Sequence, residues 1–194
     1  MNKDIAFIVG NGVSRKEIDL NSLVGKGAIF GCNALYRDFD QWDFLVAIDD
    51  GMIAELLQKD FSPKTLIVPP VSERFESAEY NPGYRRRSNA GMNAMLEAIR
   101  RDYKFLYCLG FDFLLEGEVS VDNLYKDTPN YGIETRTRIE DNYHRIRYLE
   151  WFAEQNPLTT FIFVLPKGAK TKIVKSENIL GMTIPTFKEK LEKA

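Results

Sequence analysis

The chain has 194 residues, 44% hydrophobic and 28% charged, with a formal net charge of -2. That size and apolar content suffice to bury a core without metal or disulfide staples, and they exclude a chain disordered throughout. The near-balanced charge supplies no whole-molecule field for nucleic acid or an anionic membrane, so neither is expected as a partner.

Residues 5–9 read IAFIV, a continuous apolar run that stops at Gly10, as a strand buried on both faces should. The pattern recurs at 28–31, 44–48, 66–68, 105–109 and 161–165. Between these runs the spacing changes. Ile18, Leu20 and Leu23 predict one short helix, Met52 to Leu57 another, and Met92, Met95, Leu96 and Ile99 a third. The clearest helix is predicted over 137–155, with Ile139, Tyr143, Ile146, Leu149, Trp151 and Phe152 inward. Pro185 and the run Thr186-Phe187-Lys188-Glu189 signal a last one.

This alternation predicts an α/β fold of the Rossmann-like kind, a mostly parallel sheet with helices on both faces, as a single domain over 1–194. Two stretches interrupt it. Residues 69–88 carry three prolines and the triplet Arg85, Arg86 and Arg87. Residues 114–136 are polar, contain Tyr125 and Tyr131, and read as a long lid-like insertion. In open α/β sheets a ligand binds where such loops leave the carboxyl ends of the strands.

Cys32 and Cys108 are too few for a disulfide framework and read as buried thiols. No apolar run approaches the roughly 20 residues of a membrane span. Met1-Asn2-Lys3-Asp4 leads straight into a strand without a signal peptide's apolar region, so a cytoplasmic location is the expectation.

Five polar clusters stand at strand or helix mouths. Gly10-Asn11-Gly12-Val13-Ser14 follows the first strand; its glycines permit a tight turn, and a helix starting near Ser14 would favour a phosphate. An ordinary turn with Ser14 as N-cap fits the same residues. Gly31-Cys32-Asn33 offers an amide suited to a base edge or sugar hydroxyl. Asp49 and Asp50 could hold Mg²⁺ or cap the next helix. Ser88-Asn89-Ala90-Gly91 opens the third helix beside the arginines, and Gly110-Phe111-Asp112-Phe113 places a carboxylate at a strand end. His144 is the only histidine, on the long helix; it reads either as a catalytic base or as a half-buried surface group.

In this order the clusters resemble bacterial sialyltransferases of the Campylobacter type, which use CMP-sialic acid, over roughly residues 5 to 165. A weaker similarity points to archaeal 6-hydroxymethylpterin diphosphokinases, which bind ATP and Mg²⁺. The first resemblance implies that Asn11, Gly12 and Ser14, with Gly10 in the same turn, contact the donor's phosphate and ribose. It places Asn33 at the donor sugar or phosphate, Ser88, Asn89 and Gly91 beside the nucleotide, and Asp112, with Gly110, by the ribose or base. It implies a catalytic histidine in the loop just before the long helix: Glu140 stands near that position and His144 one turn late. Tyrosines that assist the departing nucleotide follow the Gly-Phe-Asp-Phe motif in the family; here Leu114 and Leu115 follow, and the nearest tyrosine is Tyr125. The expected function is transfer of a sugar from a CMP-sugar-like donor to an unknown acceptor, without a cofactor or metal. Two alternatives stay open: a Mg²⁺-dependent diphosphokinase-like transferase using Asp49 and Asp50, and a non-catalytic nucleotide-binding relative.

Overall fold

In the computed structural model, which describes residues 3–61, 65–74 and 89–193, seven strands form one all-parallel sheet. They are β1 (Ile5–Val9), β2 (Ala28–Cys32), β3 (Phe44–Val46), β4 (Leu66–Ile67), β5 (Phe105–Leu109), β6 (Thr160–Leu165) and β7 (Ile179–Thr183), in the order β4-β3-β2-β1-β5-β6-β7. The helices are α1 (Asp50–Leu57), α2 (Val71–Arg74), α3 (Ala90–Arg100), α4 (Asp141–Gln155) and α5 (Ile184–Lys193).

Successive side chains of a strand point to opposite faces, so an unbroken apolar run requires cover on both. On one face Ala6, Ile8, Phe30, Leu106 and Phe163 pack against Met92 and Met95 of α3 and against Ile146, Leu149 and Phe152 of α4. On the other, Phe7, Val9, Ile29, Leu45 and Ile162 meet Met52 and Leu56 of α1 and Ile184, Phe187 and Leu191 of α5. Each fully buried side chain of this size contributes about 1.5–3 kcal/mol relative to leaving it in water. The fold is thus the expected Rossmann-like α/β sheet, helices on both faces, and it is parallel throughout.

The departures have local causes. The expected helix around Ile18 and Leu23 is instead two 3-10 turns, Val13–Glu17 and Leu20–Leu23. The long helix begins only at Asp141, leaving Ile139 exposed, and Tyr143 also faces solvent. β7 escapes the sequence pattern because it is a half-exposed edge strand, ILGMT, whose Leu180 is exposed. The stretch 69–88 contains α2, and its arginine triplet lies outside the described residues. Cys32 and Cys108 are buried and unpaired, and burial pushes the Cys32 thiol up to about 12 and raises Cys108 as well, which keeps both unreactive. Among the described residues no helix is long and apolar enough to cross a membrane.

Candidate functional site

The sheet changes direction at β1: β2, β3 and β4 extend from it one way, β5, β6 and β7 the other. Beyond their first residues the segments after β1 and β5 pack on opposite faces of the sheet, and open α/β sheets bind ligands at the carboxyl ends beside such a switch point. A cavity of about 760 Å³ occupies this place, within the roughly 300–1,000 Å³ usual for small-molecule sites. Gly10, Asn11, Gly12, Asn33, Asn89, Gly91, Gly110 and Asp112 all line it, as does Asp49. The topology thus gathers eight of the expected binding residues from four separate loops.

Ser14 does not line the cavity but supports it from beneath. Its backbone N–H donates to Asp112 Oδ2 at 2.9 Å, and its hydroxyl donates to Asp112 Oδ1 in a short hydrogen bond. Gly12 N donates to Gly110 O at 3.0 Å and Gly10 N to Leu109 O at 2.8 Å, so the β1 and β5 loops lie backbone against backbone. A Cβ on Gly12 would stand 2.5 Å from the Asp112 carboxyl carbon and 2.7 Å from Gly110 O. This corrects the expectation that the turn cradles a phosphate. The anion at the start of the 13–17 turn is the chain's own buried Asp112, and Gly12 is required by that packing. Gly91 likewise makes room for Phe111, whose ring carbon would lie 2.4 Å from a Cβ there.

At the next two strand ends the side chains are arranged differently. Asn11 Nδ2 donates to Cys32 O at 3.0 Å, and Asn33 Nδ2 donates to Asp49 Oδ2 at 2.9 Å. The other amide atoms, Asn11 Oδ1 and Asn33 Oδ1, are buried without a partner, as is the Tyr131 hydroxyl. That hydroxyl lies beside both asparagine side chains and the Ala34 amide, close enough for them to favour its ionised form, yet outside hydrogen-bonding geometry. Burial outweighs them and pushes Tyr131 up to about 12. Asn33 sits at φ 49, a left-handed conformation few side chains tolerate without compensation. Asp49 is open to the cavity on one side and enclosed by protein on the other; that enclosure raises its carboxyl, Asn33 lowers it in part, and Asp50 adds to the rise.

Asp50 diverges from Asp49: its side chain is 91% exposed and meets Arg74 at 3.2 Å. The two carboxylates therefore do not form one metal site, and among the described residues no group of three or more His, Cys, Asp or Glu side chains could hold an ion.

The segment 114–136 supplies the far wall. Its middle is fastened down: Leu124 N donates to Asn11 O at 2.9 Å, and the Tyr125 hydroxyl accepts from buried Arg15 at 3.0 Å while donating to Asp38. Arg37 grips Glu55 with Nη2 at 2.7 and 2.8 Å and donates to Thr128 Oγ1 at 2.8 Å and Pro129 O at 3.0 Å. Asn130 Nδ2 reaches Glu55 at 2.7 Å. Residues 133–136 and 138–140 are exposed.

Neither His144 nor Glu140 lines the cavity; Arg145 does, together with Arg136. Adjacent helix positions differ by about 100°, so the face of α4 that carries buried Asn142 and its i+3 neighbour Arg145 turns inward and His144 turns aside. His144 packs on Tyr143, ring centroids 5.4 Å apart, with Nδ1 buried and unpartnered. Arg145 donates to Thr137 Oγ1 at 2.9 Å and Asn142 Oδ1 at 3.4 Å. Sequence reasoning passed over Arg145 and gave Tyr131 no role beyond membership of the lid-like insertion; the position three after Asn142 was the available signal for the first. Asn89 caps α3, accepting from Met92 N at 3.0 Å, and Ser88 lies outside the described residues. The next amides, of Ala90 and Gly91, belong to the first turn, which has no intrahelical acceptor for them.

No family model matches this chain, and no curated protein matches it by sequence. Solved structures do match. The monofunctional α-2,3-sialyltransferase Cst-I of Campylobacter jejuni is 16% identical, with a TM-score of 0.54 over 98% of this chain and 94% of that one. A variant of sialyltransferase Cst-II, from the same organism, in complex with CMP gives 16% and 0.54 over 95% and 96%. Cst-II with a trisaccharide acceptor and CMP gives 16% and 0.52 over 95% and 98%. At such identities the likeness establishes the fold: this chain has a sialyltransferase-like, Rossmann-like architecture along nearly its whole length.

Proposed function

We propose that the chain is a nucleotide-sugar-dependent glycosyltransferase that holds its donor in the cavity at the carboxyl ends of β1, β2, β3 and β5. The observation that carries this reading is the pair of asparagine side-chain oxygens, Asn11 Oδ1 and Asn33 Oδ1, buried without a partner on two residues that line the cavity at the sheet's switch point. A buried polar atom left unpaired costs about 1–3 kcal/mol, a cost that a ligand's O–H or N–H groups would remove. The first turn of α3, with its free amides and dipole, and Arg136 and Arg145 would take the phosphate. Two of the matched structures, both of Cst-II, hold CMP, which supports a nucleotide here.

The test is calorimetric titration of the chain with CMP, UDP and ATP, with and without EDTA. CMP or UDP should bind, and at a hundred times its dissociation constant stabilise the fold by about 2.7 kcal/mol. EDTA should change nothing, because Asp49 and Asp50 point apart. Binding of ATP alone, lost with EDTA, would hand the site to the diphosphokinase reading.

Transfer needs a group to take the acceptor's proton. His144, the candidate base, reaches the cavity only if the exposed stretch before α4 closes inward and carries the helix start with it. His144→Gln should then lower turnover by about 100-fold or more while leaving nucleotide affinity unchanged. Turnover equal to that of the unsubstituted chain removes His144 from the chemistry.

A further inference from the structure

The corner of the cavity formed by the ends of β2 and β3 has a definite polarity. Asn33 is only 8% exposed, and its amide orientation is fixed because Asp49 Oδ2 can only accept; the nitrogen must face it and the oxygen must turn away. The same logic fixes Asn11, whose nitrogen faces the Cys32 carbonyl. Two amide oxygens and the Asp49 carboxylate therefore present acceptors. The Tyr131 hydroxyl, buried beside them, is the one side-chain group of this cluster with a proton left to give. The cavity's cationic side chains, Lys126, Arg136 and Arg145, come from the 114–136 segment and from α4, not from the ends of β2 and β3.

We propose that this corner is a selective subsite: it seats a neutral group rich in O–H donors, such as a vicinal diol, and rejects carboxylates and phosphates, with Asp49 as the discriminating residue. The proposal rests on the nucleotide reading of the cavity. A carboxylate or phosphate placed here would bring further acceptor oxygens against three acceptors, one of them charged, with a single hydroxyl to answer them. A diol would bring two donors to oxygens that have none. Two parts of a nucleotide sugar carry that chemistry, the ribose and the transferred sugar. If the second sits here, the donor sugar is neutral and lacks the carboxylate of sialic acid.

The experiment is a set of calorimetric titrations on the full chain and on Asp49→Asn, which keeps an oxygen for the Asn33 amide but removes the charge. Three ratios are read: CMP against 2′-deoxy-CMP, UDP against UDP-glucose, and CMP against CMP-sialic acid. If the ribose sits in the corner, 2′-deoxy-CMP binds at least tenfold more weakly than CMP, and Asp49→Asn narrows the gap. If the sugar sits there, CMP and 2′-deoxy-CMP bind alike, UDP-glucose gains at least tenfold over UDP, and CMP-sialic acid loses at least tenfold against CMP. Asp49→Asn then relieves that last penalty. The subsite is refuted, with the nucleotide reading intact, if all three ratios stay within twofold, or if CMP and 2′-deoxy-CMP bind alike while CMP-sialic acid outbinds CMP. If neither CMP nor UDP binds at all, the nucleotide reading falls and the subsite falls with it. The ratios of the unsubstituted chain decide the matter even where the variant folds poorly.

Discussion

Asp112→Ala should destabilise the fold by about 4 kcal/mol, since each hydrogen bond to a buried charged acceptor is worth roughly 1.5–3 kcal/mol and its loss strands the donor. Asp112 is 3% exposed, and Ser14 gives it both a backbone N–H and a hydroxyl. Removing the carboxylate leaves two buried donors unanswered and opens a hole against Gly12. Urea unfolding of the purified chain measures the loss. The pH dependence has a definite sign. Burial raises the Asp112 carboxyl, with Ser14 and the Val13 amide pulling it down only in part. A folded-state value above the unfolded one means a contribution fully present below the ordinary carboxylate range and lost as pH rises through the folded value. The stability difference between the unsubstituted chain and Asp112→Asn should therefore shrink as pH rises from the ordinary aspartate value of about 3.9 through the raised folded one. A difference that grows with pH would mean that the hydrogen bonds from Ser14 and Val13 outweigh burial and hold the carboxyl below its ordinary value.

Arg37→Ala should cost about 3 kcal/mol, the low end for breaking a buried ion pair, because the pair here is only mostly enclosed. Arg37 and Glu55 are 19% and 21% exposed, and the same guanidinium ties down Thr128 and Pro129. It also lies 5.7 Å from the Tyr125 ring centroid and 5.8 Å from that of Tyr131. One substitution thus releases the segment that carries Tyr131 into the cavity. Amide exchange should quicken across 124–131 while α3 and the central strands keep their protection. Exchange unchanged in that segment would show that Tyr125, through Arg15 and Asp38, is a sufficient anchor by itself.

Sheet and helix order were legible because strands covered on both faces must be apolar without a break, as IAFIV and FLYCL are. β7 was hidden by the opposite condition: an edge strand with Leu180 in solvent and Gly181 at its centre carries neither pattern. The site's floor was legible for a related reason, since Gly10, Asn33 and Asp112 each follow a readable strand, and strand ends of a parallel sheet converge. What each residue does there was less legible. Gly12 resembles a ligand-contacting glycine, yet the contact it permits is with Asp112, 100 positions away in the chain, and only the meeting of two loops reveals it. The choice between His144 and Arg145 rests on a rotation of about 100°, set by where α4 starts, and helix starts are the least certain feature of a periodicity. The long polar stretch 114–136 reads as a lid, but its tethers to Arg37, Glu55 and Arg15 are long-range side-chain contacts that no local pattern displays.

The direct test of nucleotide binding at the switch point is amide chemical-shift mapping of the isotopically labelled chain during titration with CMP. Saturable shifts should gather at Gly10–Gly12, Asn33, Asn89–Gly91 and Gly110–Asp112, and should weaken in Asn33→Ala. Shifts confined to the separate groove between Tyr36, Lys59 and Pro129, or no shift at millimolar CMP, would contradict it.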